Sequence, residues 1–346
     1  MKDAGLVSRL RAALLDWYDA HGRDLSWRKG KRDPYRVWLS EVMLQQTTVA
    51  HATPYYDKFL RLWPTVGDLA AAEDGRVMAE WAGLGYYARA RRLLECARVV
   101  ARDFGGKFPE DEAGLFALPG FGPYTAAAVA AIAFGQAANV VDGNVERVMA
   151  RLYAIATPLP AARAEIRAVA AQWVAEDRAG DWPQALMDLA ATVCRPKPPL
   201  CLLCPLREGC EAFRLGRPEA FPVKAEKAAR PRRYGVAFLI VGAGGFIAEQ
   251  RAGKGLLGGM LGVPHSEWRA APYDEVDAPV DGEFTVLGSY EHVFTHFALT
   301  QEVRLYRPGE AKIAELLRQH NDWQVLPFDE QTALPTVFRK ALKFLG

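Results

Sequence analysis

Residues 118–125 read LPGFGPYT: Leu118, Pro119, Gly120, Phe121, Gly122, Pro123, Tyr124 and Thr125, set between two apolar runs of helical texture. Proline beside glycine marks a turn. Two glycines so close predict a backbone that takes a positive φ or that another backbone must approach, because glycine has no Cβ. Helix, L-P-G-x-G turn and helix together form a helix–hairpin–helix pattern. The second helix would begin with free amides, which suit a phosphate. Contacts of that kind place a duplex without reading its bases. An ordinary helix–helix turn closed by a glycine cap carries the same letters. The surrounding chain has to separate the two.

On either side the texture stays helical from residue 1 to about 215. Leu6, Leu10, Leu14 and Trp17 fall near helical spacing,. Helical runs continue through VWLSEVMLQQTTVA (37–50), LAAAEDGRVMAEWAGL (69–84), RARRLLECARVVARDF (89–104) and YTAAAVAAIAFG (124–135). The texture changes near residue 217, where GRPEAFPVKAEKAARPRR (216–233) is rich in proline and charge and predicts a linker over 217–233,. Beyond it, YGVAFLIVG (234–242) and GFIAEQR (245–251) read as strands around a short glycine turn,. A partly alternating stretch follows over 283–307, and PTVFRKALKFLG (335–346) closes as a helix. The expected architecture is an all-α unit followed by a smaller α+β unit.

The 346-residue length suits about two domains,. A composition 50% hydrophobic and 24% charged is that of a soluble globular chain,. Lys2, Asp3, Arg9 and Arg11 interrupt the N-terminus in a way a signal peptide does not,. The longest apolar stretch, 126–141, is broken by Gly135, Gln136 and Asn139 and is too short to span a bilayer,. The chain is therefore read as cytoplasmic. A net charge of +2 leaves nucleic acid neither favoured nor excluded,. Two basic clusters stand out, Arg89, Arg91 and Arg92, and Lys224, Lys227, Arg230, Arg232 and Arg233. A solvated surface is the plain reading of both.

Cys194, Cys201, Cys204 and Cys210 lie in one short segment, spaced C-x6-C-x2-C-x5-C. A cytosolic chain seldom uses such a set for disulfides. Thiolates this close imply a metal centre. Zinc sites tend to separate two C-x2-C knuckles by a longer loop, so a single C-x2-C fits a cubane iron–sulfur cluster better than zinc. Its plain role is to staple a loop. Cys96, in a helical run, reads as a core residue.

Two acids sit where carboxyl chemistry is favoured. Glu41 lies among Trp38, Leu39, Val42 and Met43, and burial there would raise its pKa and keep a proton available,. Asp142 precedes a helical run and suits an N-cap, where the helix terminus favours the ionised form.

Together these residues resemble the endonuclease III superfamily of DNA glycosylases, and within it the MutY-type adenine DNA glycosylases. The resemblance is carried by SWR (26–28), SEVMLQQT (40–47), GLGYYARARRL (83–93), LPGFGPYTAAAV (118–129), VVDGNVERVMARL (140–152), the four cysteines and FTH (294–296). It implies a catalytic α domain over 1–216, with a six-helix barrel at about 22–132 and a cluster domain from 1–21 and 133–216. It also implies a Nudix-like domain over 234–346. The implied activity is removal of adenine mispaired with 8-oxoguanine or guanine in double-stranded DNA, by a monomeric bacterial-type enzyme of the nucleoid. A 4Fe-4S cluster on the four cysteines and a monovalent cation at the hairpin are implied as well. The basic linker is a candidate dock for a replication or repair partner.

By the same resemblance Glu41 protonates adenine at N7. Asp142, supported by Asn144, stabilises the cationic sugar by electrostatics or by transient covalent attachment, as paired carboxyls do in glycoside hydrolysis. Gln46 and Tyr86 fill the gap and wedge beside the opposite base once adenine is flipped. Trp27, Arg28 and Gln184 form the adenine pocket. Gly120, Gly122 and Thr125 contact the DNA backbone. Phe294, Thr295 and His296 read 8-oxoguanine, with Thr295 standing where the family usually has serine. Tyr124 stands where the lyase branch carries an amine nucleophile, and tyrosine forms no Schiff base. The chain lacks an R-E-x-x-E-E pattern after GLLGGMLGVP (255–264), so the last domain reads as a lesion reader without Nudix catalysis. The competing readings are an endonuclease III-like lyase and a non-catalytic DNA-binding protein.

Overall fold

The computed structural model describes residues 2–29, 32–225, 230–253 and 255–346. The chain divides into two compact units, Met1–Glu226 and Lys227–Gly346. Lys227 of the second basic cluster lies outside the described residues.

The first unit is helical: α1 (Ala4–His21), α2 (Pro34–Met43), α3 (Val49–Leu62), α4 (Val66–Ala70), α5 (Asp74–Trp81), α6 (Tyr87–Asp103), α7 (Glu112–Phe116), α8 (Pro123–Phe134), α9 (Gly143–Tyr153), α10 (Arg163–Ala171), α11 (Asp181–Thr192) and α12 (Glu211–Arg214). Local chemistry starts many of them. Side chains of Asp3, Asp33, Thr48, Thr65, Asp111 and Asp142 accept the first amides of their helices, as N-caps do. Helix α8 has Pro123 at its first position and Gly135 in the left-handed region at its end, the usual asymmetry of proline and glycine.

Two helical runs expected from sequence are broken. VWLSEVMLQQTTVA splits into α2 and α3 at residues 44–48, where Gln46 takes a φ of 61°. LAAAEDGRVMAEWAGL splits into α4 and α5 at 71–73.

Helices α2 and α8 are buried on nearly every face and pack together. An α8 made largely of alanine permits that close approach. They centre one core that draws on residues from Tyr35 to Val140. A second core joins Val7, Leu10 and Leu14 of α1 to residues from Val145 to Phe221. Helix α9 begins between the two.

The expected linker at 217–233 needs correction at both ends. Phe221 is buried in the second core. Leu159 N donates to Val223 O at 2.8 Å, and Ala225 N to Leu159 O at 3.2 Å. Residues through 225 therefore belong to the first unit, because they supply it with a core side chain and a backbone pairing. Arg232 and Arg233 already lie in β1.

The second unit holds β1 (Arg232–Gly242), β2 (Gly245–Gln250), β3 (Leu261–Gly262), β4 (Thr285–Val293), β5 (Ala298–Tyr306), α13 (Glu310–Gln319), β6 (Trp323–Leu326) and α14 (Thr336–Leu342). The sheet order is β3-β2-β1-β5-β4, with β6 also paired to β2. Strand β1 runs parallel to β5, and β4 pairs antiparallel with β5. Phe338 of α14 is fully buried in the core on one side of this sheet. Segment 264–284, which follows the glycine-rich stretch, forms no helix. Among the described residues no helix is long and apolar enough to cross a membrane.

Candidate active site

Glu41 sits on α2 with 8% of its surface exposed. Burial pushes its carboxyl up to about 7, a hydrogen bond from Tyr124 pulls it back, and nearby Asp142 raises it further. The Tyr124 hydroxyl donates to Glu41 Oε2 at 2.6 Å. Burial and the Glu41 charge hold the Tyr124 phenol well above its ordinary range, so it stays a donor.

Asp142 caps α9. Its Oδ1 accepts from Asn144 N (2.9 Å) and Val145 N (2.7 Å), and its Oδ2 from Asn144 Nδ2 (2.7 Å). The cap reading and the site reading are thus one arrangement, since three donors solvate the carboxylate in place. Arg147, one turn on, donates to Asn144 Oδ1 at 3.2 Å and to Cys194 O at 2.9 Å.

Glu41, Tyr124, Asp142, Asn144 and Gln46 line one cleft of about 710 Å³. A neighbouring cavity of about 50 Å³ is lined by Trp27, Arg28, Gln184 and, again, Glu41. The pocket trio expected from sequence is therefore brought together beside the buried acid. A cavity of that size holds a water or two but no purine. The two spaces share Arg23, Glu41, Leu44, Val49 and Met187 as lining, so they adjoin along that wall.

Arg28 is anchored rather than free. Its Nη1 and Nη2 donate to Asp188 Oδ2 (2.6 Å) and Oδ1 (3.0 Å), while its Nε is buried without a partner. Asp188, fully buried, also accepts from Arg23 N (2.8 Å) and Arg23 Nε (2.7 Å). Burial works against the Asp188 carboxylate, yet the Arg28 hydrogen bonds and charge hold it below its ordinary range. Sequence reasoning missed Asp188 and Arg23. The signal that marks Glu41, an acid in an apolar helix, was present in ALMDLAAT (185–192) too. Gln184 is buried and donates to Gly180 O at 2.8 Å.

The hairpin glycines divide their work. Gly120 has a φ of 79°, and a Cβ there would stand 2.9 Å from Arg92 Cβ. Gly122 has a φ of −105°, caps α8, and would meet nothing within 4 Å. Gly120 is thus required by the fold itself, and only Gly122 faces open space. Thr125 departs from its expected DNA contact: its side chain is buried, since α8 turns that face inward. The amides of Tyr124 and Thr125 head α8, ahead of the Ala126 N to Gly122 O bond at 3.0 Å.

Tyr86 is 58% exposed and left-handed, with a φ of 50°. Gln46 is exposed and left-handed as well. Arg89, expected in a basic surface cluster, folds inward. It donates to the carbonyls of Val42, Gln45 and Leu84. Arg92 stays outside, paired to Glu95.

The four cysteines are free and partly buried. Cys201, Cys204 and Cys210 each interact electrostatically with Cys194. Among the described residues no group of three or more His, Cys, Asp or Glu is set to hold a single metal ion. Arg151 is 2% exposed and donates to Phe221 O, Cys194 O, Cys194 Sγ, Arg195 O and Pro196 O. None of these partners is a carboxylate, and a buried cation needs compensating charge. The Cys194 sulfur, 3.3 Å from Arg151 Nη1, is the group within reach that would carry compensating charge if a metal centre were bound.

In the second unit, Phe294, Thr295 and His296 form the turn between β4 and β5. Phe294 packs on Trp268 (5.3 Å between ring centroids), His292 (4.6 Å) and Phe297 (4.8 Å). Thr295 and His296 are exposed at the tip.

Residues 39–175 match the family described as HhH-GPD superfamily base excision DNA repair protein. A solved structure described as a thermostable thymine-DNA glycosylase is 30% identical, with a TM-score of 0.56 over 61% of this chain and 98% of that one. The chain belongs to the HhH-GPD superfamily. The match includes Glu41, the whole hairpin and Asp142. Among curated relatives, an adenine DNA glycosylase of Homo sapiens is 47% identical over 61% of this chain and 40% of that protein. One of Arabidopsis thaliana is 39% identical over 75% of this chain and 47% of that protein. The chain spans under half the length of both relatives.

Proposed function

We propose that this chain is a monofunctional DNA glycosylase of base excision repair that hydrolyses the N-glycosidic bond of adenine mispaired with 8-oxoguanine or guanine. The observation that carries the reading is the Tyr124 hydroxyl held 2.6 Å from Glu41 Oε2, in one cleft with Asp142. The curated relatives' name, adenine DNA glycosylase, supports the choice of base.

The chemistry follows from the two acids. Adenine leaves the duplex to be reached, entering past Gln46 and Tyr86 toward the wall shared by cleft and cavity. Glu41 holds its proton up to near neutral pH and delivers it to N7, which makes the base a better leaving group. Positive charge then develops on the sugar. Asp142, fixed by three hydrogen bonds, faces that charge as a carboxylate. Water then adds to C1′ of the sugar cation and gives its proton to the Glu41 carboxylate, which restores the acid and leaves an abasic site. Tyr124 offers no amine, so no Schiff base forms and the strand stays intact.

The remaining parts take supporting roles. The α8 amides and the open face at Gly122 suit a DNA phosphate. Cys194, Cys201, Cys204 and Cys210, two of whose sulfurs contact buried Arg151, would hold a 4Fe-4S cluster,; its thiolate ligands would supply negative charge beside Arg151 and tie residues 194–210 to α9. The second unit, read as Nudix-like, would present Thr295 and His296 to 8-oxoguanine.

Incubation with duplexes holding adenine opposite 8-oxoguanine, adenine opposite guanine, thymine opposite guanine, and thymine glycol tests the reading. Cleavage is expected only at adenine and only after alkali, with no adduct trapped by borohydride. Release of thymine or thymine glycol, or a strong trapped adduct, would overturn it.

A further inference from the structure

Arg89 links two segments that the proposed function uses separately. One is the turn after α2, where Gln46 is left-handed. The other is the turn before α6, where Tyr86 is left-handed. Non-glycine residues hold this conformation only when their surroundings impose it. Arg89 Nη1 donates to Val42 O at 2.9 Å and to Gln45 O, directly before Gln46. Its Nη2 donates to Leu84 O at 3.4 Å, two residues before Tyr86. The guanidinium also lies over the Tyr86 ring at 5.5 Å and the Trp81 ring at 5.4 Å.

The second turn has other holds. Tyr55 donates to Ala82 O at 2.9 Å, Trp81 Nε1 to Gly85 O at 3.0 Å, and His51 Nε2 lies 3.2 Å from Gly83 O. The Gln46 turn draws its side-chain hold chiefly from Arg89, with Gln45 reaching Thr125 at 3.5 Å. One planar fork therefore registers the first turn against the better-anchored second.

We propose that Arg89 is a positioning residue that presets Gln46 and Tyr86 as one rigid pair for opening the duplex. The proposal rests on the glycosylase reading. It assigns Arg89 no contact with the base or the sugar. A rigid pair enters the stack without first paying to order two exposed turns. A lysine at this position carries the charge but is a point donor, unable to span three carbonyls in a plane.

The test compares the parent with Arg89→Lys and Arg89→Met. Two readouts are taken: single-turnover adenine excision, and the fluorescence of 2-aminopurine placed at the target in a duplex. Excision is measured on a duplex and on an adenine already unstacked in a single-strand bulge. Both variants should lose about ten-fold or more in duplex excision, the scale of one lost charge-assisted hydrogen bond. Both should also lose most of the fluorescence rise, while excision from the bulge falls less than two-fold or so.

An unchanged fluorescence rise in either variant overturns the proposal. So does equal loss on duplex and bulge, which would make Arg89 a general support of the fold. Fluorescence scores the clamp even if the parent fails to excise adenine, so a failed glycosylase reading is told apart. A parent that neither excises nor raises fluorescence overturns both.

Discussion

Glu41 combines a cost and a use in one carboxyl. Its pKa is raised from 4.5 to about 7, so the folded chain keeps a proton that the unfolded chain releases above about 4.5. Stability contributed by this site is therefore highest at low pH and falls as pH rises from about 4.5 to about 7. The full shift corresponds to about 3 kcal/mol. Glu41→Gln should abolish adenine excision while keeping duplex binding, and should melt higher than the parent at pH 8. The gain should fade toward pH 5, as scanning calorimetry across pH would show. Single-turnover excision in the parent should fall as pH rises through about 7. Glu41 was legible because its neighbours in sequence are apolar. Asp188 shares that signal, yet it holds two guanidiniums whose residues lie 165 and 160 positions away in sequence. Local texture shows that an acid is buried and is silent on what compensates it.

The hairpin is where an element-level reading was sharpened. Gly120 and Gly122 look equivalent as letters, but only Gly120 has the positive φ and a neighbour in the way. Gly120→Ala should destabilise by about 1–2 kcal/mol from the backbone conformation alone, with more from the clash against Arg92. Gly122→Ala should leave the melting temperature near that of the parent while weakening binding to an abasic-analogue duplex, read by fluorescence anisotropy. Equal effects on melting would contradict the division. The helices themselves were legible from caps and apolar texture. The break after α2 was not, since Gln46 is no turn signal and the preceding Gln45 carbonyl is held by Arg89 from another helix. Tertiary contacts of this kind override local propensity and are invisible to it.

At the scale of the whole molecule, the change in texture near residue 217 was enough to separate a helical unit from one with a sheet. The parallel pairing of β1 with β5 was not legible, because strands that neighbour in space are about 55 residues apart in sequence and nothing local specifies their register,. The Phe294 turn should govern lesion choice. Replacing Phe294 and His296 by alanine together should narrow the ratio of excision rates for adenine opposite 8-oxoguanine and opposite guanine, with the rate opposite guanine little changed. An unaltered ratio in single-turnover assays would remove the turn from that role. The residues before 226 bear on how the chain can be divided. Composition invites a cut at 216, but a fragment ending there forfeits Phe221, whose ring fills the second core and whose carbonyl accepts from Arg151 Nε at 3.1 Å. The guanidinium beside Cys194 would lose the acceptor of its Nε. An excised helical unit should run through residue 225, and its last ten residues should be treated as part of the cysteine loop's foundation.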